Sequence, residues 1–290
     1  KKITILVFEL HNNLGLAAGL DKNGDYIDAL AALGFGFLEI GTVTPNPQPG
    51  NRKPRLLRVY TKKALVNKMG FNNKGVKHLV RNIAKSRSKV PLGISIGKNF
   101  NTPNRLAYQD YLFCLNLVYE HSSYVAINIS SPNTKDLRKL ESKESLRYLL
   151  NSLKLKQKEL AKLYGYKPLL IKISPDNSEE ELKEICDAIK SFNIDGVICS
   201  NTTSDHNYFN GEGGLSGSPL FSKSTTVLRF MRENLGKGYT IIASGGVMNI
   251  NNYEEKIAAG ADLVQIYTGF IYEGPALVDS IINSQVGPRS

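Results

Sequence analysis

The sequence predicts a (β/α)8 barrel, and three observations carry that expectation. Eight short runs rich in β-branched and small apolar residues recur along 290 residues. Stretches with helical periodicity separate most of them, as expected when parallel strands are joined by crossover helices. Nearly every run ends in a cluster of polar residues or glycines, and a barrel gathers all eight such ends around one mouth. A doubly wound open sheet is the competing architecture, but it places ligands at a single switch-point crevice.

The first strand lies within residues 14–19, closed by Leu20-Asp21-Lys22-Asn23-Gly24 and followed by a helix over about 26–33. The second is 37–43 and the third 92–97. Between them, the stretch from Thr44 to Pro91 exceeds what one βα connection needs. Its Pro45-Asn46-Pro47-Gln48-Pro49-Gly50 start and its Asn67-Lys68-Met69-Gly70-Phe71 segment predict an elaborated loop insertion over the mouth. The fourth strand starts at Tyr124: Val125, Ile127 and Ile129 alternate with smaller residues, then Pro132 stops ladder pairing. That strand delivers Asn128, Ser130, Ser131 and Asn133 at its C-terminal end, although an ordinary turn satisfying its own backbone is also compatible with the segment. Leu146, Leu149, Leu150 and Leu153 then trace one helical face. The fifth strand, 168–174, leads to Ser178 and Glu181 at capping-box spacing, with Leu182, Ile185 and Ile189 on one side of the helix that follows. Strands six to eight are 196–202, 240–246 and 263–269.

Composition sets bounds on this picture. Hydrophobic residues make up 41% and charged residues 22% of the chain, an ordinary globular balance that a single barrel domain over 1–290 accommodates. No run of 18 or more apolar residues occurs, so no spanning helix is predicted. The opening 1–8 superficially resembles a secretory signal, but Glu9 and His11 interrupt it, and it is expected to be folded chain. Residue 1 is Lys rather than Met, which suggests that an N-terminal piece is missing. Cys114, Cys186 and Cys199 are widely spaced and odd in number, which argues against a disulfide framework or a metal cluster. A net charge of +11 suits anionic ligands or an anionic membrane surface, with a merely basic solvated surface as the plainer explanation.

Several residues stand out as carriers of chemistry. Lys172 interrupts an apolar strand, where an ammonium is costly unless it meets an anion or snorkels to the rim. Lys22, just past the first strand, has the pattern of a solvated loop lysine. Gly217, Gly245 and Gly246, with Tyr267-Thr268-Gly269 ending the eighth strand, fit the phosphate site that such barrels form from their last loops. The four histidines are scattered, so a metal-hydrolase barrel is not expected and no metal is assigned. Amides, hydroxyls, lysines and an anion cradle suit a planar, hydrogen-bonding, anionic ligand, with the chemistry drawn from a cofactor.

Six ordered segments then show a family resemblance: Gly-Leu-Ala-Ala-Gly-Leu-Asp-Lys (15–22), Glu-Ile-Gly-Thr-Val-Thr-Pro (39–45), Met-Gly-Phe-Asn-Asn (69–73), Asn-Ile-Ser-Ser-Pro-Asn-Thr (128–134), Gly-Gly-Leu-Ser-Gly (213–217) and Gln-Ile-Tyr-Thr-Gly (265–269). Together they resemble the dihydroorotate dehydrogenases, and within that family the membrane-associated, quinone-dependent class 2. The resemblance implies an FMN enzyme of pyrimidine (UMP) synthesis that oxidises dihydroorotate to orotate and passes electrons to a quinone. It implies FMN contacts at Ala18, Gly19, Leu20, Asp21, Lys22, Thr42, Ser95, Asn128, Lys172 and Ser200. The phosphate would be held at Gly217, Gly246, Tyr267 and Thr268. Orotate would meet Lys22, Asn67, Lys68, Met69, Gly70, Phe71, Asn128, Asn133, Asn201 and Thr202. Ser131 would be the base taking the C5 proton, and Lys172 would stabilise reduced, anionic flavin at its N1/O2 edge.

Two departures from the family pattern matter. Ser95 replaces the usual Asn of the Gly-Ile-Asn-Ile-Gly motif and has a shorter reach. Only about 13 residues precede the first strand, so the N-terminal helical extension that builds the quinone tunnel and the peripheral membrane contact is expected to be missing. The implied location is the cytoplasmic face of the inner cell membrane, or the mitochondrial inner membrane in a eukaryote. No nucleic-acid partner is implied. A class 1 enzyme using fumarate or NAD is the nearest alternative, disfavoured because class 1 resembles this fold but places Cys at position 131. A non-catalytic barrel binding a phosphorylated ligand is the remote one, with no need of Ser131.

Overall fold

In a computed structural model, residues 3–5, 8–134 and 136–285 of the protein are described; residues 1, 2, 6 and 7 of the opening run lie outside them. Eight parallel strands close a barrel: β1 (Leu14–Leu16), β2 (Phe37–Val43), β3 (Leu92–Ile96), β4 (Tyr124–Asn128), β5 (Leu169–Ile173), β6 (Gly196–Cys199), β7 (Thr240–Ser244) and β8 (Leu263–Ile266). Each pairs with the next in sequence, and β8 returns to β1. The expected barrel is therefore present in the expected order.

Alternation along the strands divides the core in two, as the period of two in a strand requires. Phe37, Tyr124, Ala126, Leu170, Ile198, Ile242 and Leu263 point into the barrel, where Leu10 joins them. Their neighbours Leu38, Ile40, Val125, Ile127, Ile171 and Val197 face outward into the shell shared with the helices. Glycine makes room for the inner rings: a Cβ at Gly15 would lie 2.2 Å from the Phe37 ring, and one at Gly93 2.1 Å from that of Tyr124. Leu10 arrives on a short antiparallel pair, Ile3–Ile5 with Phe8–Leu10, and plugs the N-terminal end of the barrel.

The helices follow from their apolar faces. Leu146, Leu149, Leu150 and Leu153 are all buried along Lys143–Tyr164. Leu182, Ile185 and Ile189 do the same on Glu179–Ser191, whose capping box is complete, with Glu181 N–H donating to Ser178 Oγ and Ser178 N–H to Glu181 Oε2. The insertion between β2 and β3 carries more order than a loop: strands Leu56–Val59 and Ala64–Asn67 pair antiparallel, and the crossover helix Val76–Ile83 follows. A strand from the β6–β7 connection, Gly214–Gly217, adds to Ala64–Asn67 and completes a three-stranded roof over the mouth.

Candidate active site

The strands stop short of the polar clusters, and this hands those clusters to the mouth. β4 ends at Asn128, β6 at Cys199 and β8 at Ile266; Thr268 already begins the short helix Thr268–Glu273. The Gly41–Thr42 and Cys199–Ser200 peptides are both cis. A cavity open at one side fills the mouth.

Nearly all residues expected at the site line this cavity: Ala18, Gly19, Lys22, Thr42, Asn67, Met69, Gly70, Phe71, Asn128, Ser131, Asn133, Lys172, Ser200, Asn201, Thr202, Gly217, Gly246, Tyr267 and Thr268. Leu20, Asp21, Lys68 and Ser95 are not brought to its wall. Asp21 spends its carboxylate on the backbone N–H groups of Asn23, Asp25 and Tyr26, fixing the turn that carries Lys22. Lys68 turns outward to Glu212 and lies over the Phe209 ring. Ser95 is fully buried one step behind the wall, with its hydroxyl 2.8 Å from that of Thr42. Its shorter side chain thus reaches the site through Thr42.

A continuous hydrogen-bond network orders the polar wall. Asn128 donates to Thr42 Oγ1 at 2.9 Å, and Asn201 donates to Asn128 Oδ1 at 3.1 Å and to Ser130 Oγ at 3.0 Å. Ser130 in turn donates to the Lys172 carbonyl at 2.6 Å. On the roof side Asn133 donates to Asn67 Oδ1 at 2.9 Å, while its own Oδ1 is buried without a partner. Such an orphan acceptor is costly unless a ligand donates to it. Ser131 Oγ accepts the Asn133 backbone N–H at 3.3 Å. Among the described residues, the cavity wall contains no Asp, Glu, His or Cys, and its titratable side chains are Lys22, Lys172 and Tyr267.

The two lysines differ. Lys22 donates to the Gly19 carbonyl, and burial lowers its pKa to about 8; the Arg55 charge pushes the same way and Asp21 opposes. It is therefore a partly desolvated cation at the wall, not the solvated loop lysine its position suggests. Lys172 is 6% exposed, with Nζ 3.8 Å from Glu39 Oε1 inside the barrel. Glu39 Oε2 accepts from Tyr124 and Gln265 at 2.8 and 2.7 Å, whereas Oε1 has no hydrogen bond.

Two supporting residues escaped the sequence reading. Glu39 was detectable, because a carboxylate between Leu38 and Ile40 in a buried strand needs a partner. Arg138 carried no such signal. It donates to the Ser130 and Thr202 carbonyls at 3.1 and 3.0 Å and to Asp176 at 2.9 Å, tying the Ser131 loop to the Thr202 loop. Burial alone would raise the Asp176 pKa, but hydrogen bonds from Lys223, Thr203 and Ser204 hold its carboxyl well below the usual carboxylate range.

A closed parallel barrel whose polar and charged side chains converge at the C-terminal ends of its strands is a (β/α)8-barrel enzyme. The family model described as dihydroorotate dehydrogenase matches residues 2–285, and the chain belongs to the dihydroorotate dehydrogenase family. It is 52% identical over 280 residues to the dihydroorotate dehydrogenase (quinone) of Vibrio parahaemolyticus, covering 94% of this chain and 83% of that protein. The protein of the same name from Neisseria meningitidis serogroup B is 49% identical over 291 residues, covering 98% and 87%. Among solved structures, the Eimeria tenella enzyme in complex with ferulenol superposes with a TM-score of 0.90 at 33% identity, covering 99% of this chain and 85% of that one.

Proposed function

We infer that this chain oxidises (S)-dihydroorotate to orotate in de novo pyrimidine (UMP) synthesis and passes the electrons to a quinone. The single observation that carries this reading is a mouth with Ser131, seven asparagine and threonine side chains and the lysines Lys22 and Lys172, in a chain half identical to quinone-dependent relatives. The family is flavin-dependent, and FMN is the cofactor proposed. The mouth fits it: Gly19, Gly217, Gly245 and Gly246 all adopt positive φ and present bare backbone to the cavity. A Cβ at Gly217 would meet the Lys63 carbonyl at 2.3 Å, so the packing of this strand against the roof hairpin needs glycine. The Gly246 N–H has no acceptor among the described residues.

In this reading Ala18, Gly19, Thr42 and Ser200 hold the flavin ring, and Gly217, Gly246, Tyr267 and Thr268 its phosphate. FMN supplies the two-electron acceptor for oxidation of the C5–C6 bond. Asn67, Met69, Gly70, Phe71, Asn128, Asn133, Asn201 and Thr202 orient the substrate, and Lys22 neutralises its carboxylate. Ser131 takes the C5 proton. The Asn133 N–H at its oxygen stabilises developing negative charge, and with no carboxylate or imidazole in the wall among the described residues the hydroxyl hands its proton onward to water. Lys172 places a cation against the ring. Quinones dissolve in bilayers, so the electron acceptor draws this chain of net charge +11 to an anionic membrane surface, proposed as the cytoplasmic face of the inner membrane. No helix among the described residues is long and apolar enough to cross a membrane. The test is orotate formation with a short-chain quinone, fumarate or NAD as sole acceptor. Turnover with the quinone alone is expected; preference for fumarate or NAD would replace this reading with the class 1 one.

A further inference from the structure

Lys256, on the helix Ile250–Ala258, is fully buried and takes part in no ion pair among the described residues. A buried ammonium is costly without an anion, so this one needs an explanation. Its Nζ donates to Ser224 Oγ at 2.7 Å, lies 3.4 Å from the Phe221 carbonyl and stands 4.8 Å from the centre of the Phe221 ring. Ser224, itself buried, donates onward to the Gly245 carbonyl at 3.0 Å, with the Phe221 carbonyl a second acceptor at 3.0 Å. Gly245 and Gly246 both line the cavity.

The Gly245 carbonyl and the Gly246 N–H belong to one planar peptide. Hydrogen bonds in series polarise one another, so a cation pulling on that carbonyl through Ser224 makes the Gly246 N–H a stronger donor. We propose that Lys256 is a positioning residue for the phosphate of the bound flavin, acting through Ser224 and the Gly245–Gly246 peptide and finding in that phosphate the anion it lacks. The proposal rests on the reading of this cradle as a phosphate seat. Burial is the largest influence on Lys256 and lowers its pKa to about 7, so a nearby dianion favours its charged form.

The test is flavin exchange on the full-length holoenzyme. Wild type, Lys256→Met and Ser224→Ala are equilibrated with graded mixtures of FMN and riboflavin, which differ only in the phosphate, and the bound flavins are extracted and quantified. Wild type should retain FMN in strong preference. Lys256→Met should lower the bound FMN-to-riboflavin ratio by about tenfold or more, the scale of a hydrogen bond to a charged group, and Ser224→Ala should lower it in the same direction by less. A merely structural role would weaken both flavins alike and leave the ratio unchanged, which overturns the proposal. Should Lys256→Met fail to fold, the ratio in Ser224→Ala decides. Wild-type protein with no preference for FMN would instead overturn the phosphate seat on which the proposal stands.

Discussion

Replacing Lys172 with methionine removes the cation that faces Glu39 inside the barrel. The two groups are 3.8 Å apart, and at an effective dielectric constant of about 20 their attraction is about 4 kcal/mol. Tyr124 and Gln265 both serve Glu39 Oε2, so without Lys172 the Oε1 atom is left buried with neither charge nor hydrogen bond nearby. Breaking a buried pair from one side costs ~3–5 kcal/mol, in line with the Coulomb figure. Lys172→Met should therefore lower unfolding free energy by about that amount. Adding Glu39→Gln removes the orphaned carboxylate, and the double variant should regain most of the loss. Function should not return with stability, because the flavin still lacks its cation: the midpoint potential should stay below wild type. Urea unfolding of all four chains in the cycle gives the coupling energy, and redox titration of the same chains gives the potential. Additive stability losses would show that the pair does not interact. Wild-type potential and turnover in the double variant would show that Lys172 serves only to neutralise Glu39.

Ser131→Ala should slow substrate oxidation by ~10²-fold or more, the usual span for a lost general base, with flavin still bound; near-normal rates in stopped flow would reject Ser131. For Lys22 the sign follows from its lowered pKa: the free protein loses this proton through about pH 8, whereas a bound carboxylate holds it on. kcat/KM for dihydroorotate should therefore be full below that pH and decline above it, and Lys22→Arg should remove the alkaline limb, since a guanidinium stays charged. Arg138→Lys keeps the charge but cannot span Ser130, Thr202 and Asp176 at once, so kcat/KM should fall about tenfold or more through loss of orientation, while bound flavin, measured by extraction, stays at wild-type content.

Where hydrophobic period and strand-end chemistry agree, the sequence was sufficient. All eight barrel strands, the apolar face of Lys143–Tyr164 and the capping box at Ser178 follow from local pattern, because each depends on residues close in the chain. The roof was only half visible. Pro and Gly around residues 45–50 marked an insertion, but Gly214–Gly217 pairs with Ala64–Asn67 across some 150 residues, and Gly-Leu-Ser-Gly, with one apolar residue in four, carries no strand period. The same limit applies to the site. Lys172 and Ser131 announce themselves by their strand, whereas Arg138 acquires its role only where the chain brings Thr202 and Asp176 beside it. Asp21 shows the converse: a charged residue beside Gly19 spends its carboxylate on the backbone of its own turn, which no local pattern announced.

Anaerobic mixing of the purified protein with dihydroorotate, followed by addition of quinone, tests the whole argument in one trace. The protein should carry visible flavin absorbance that bleaches on mixing, with one orotate formed per flavin, and the colour should return when quinone is added. A colourless protein, or a flavin that dihydroorotate leaves oxidised, would contradict the assignment of this mouth.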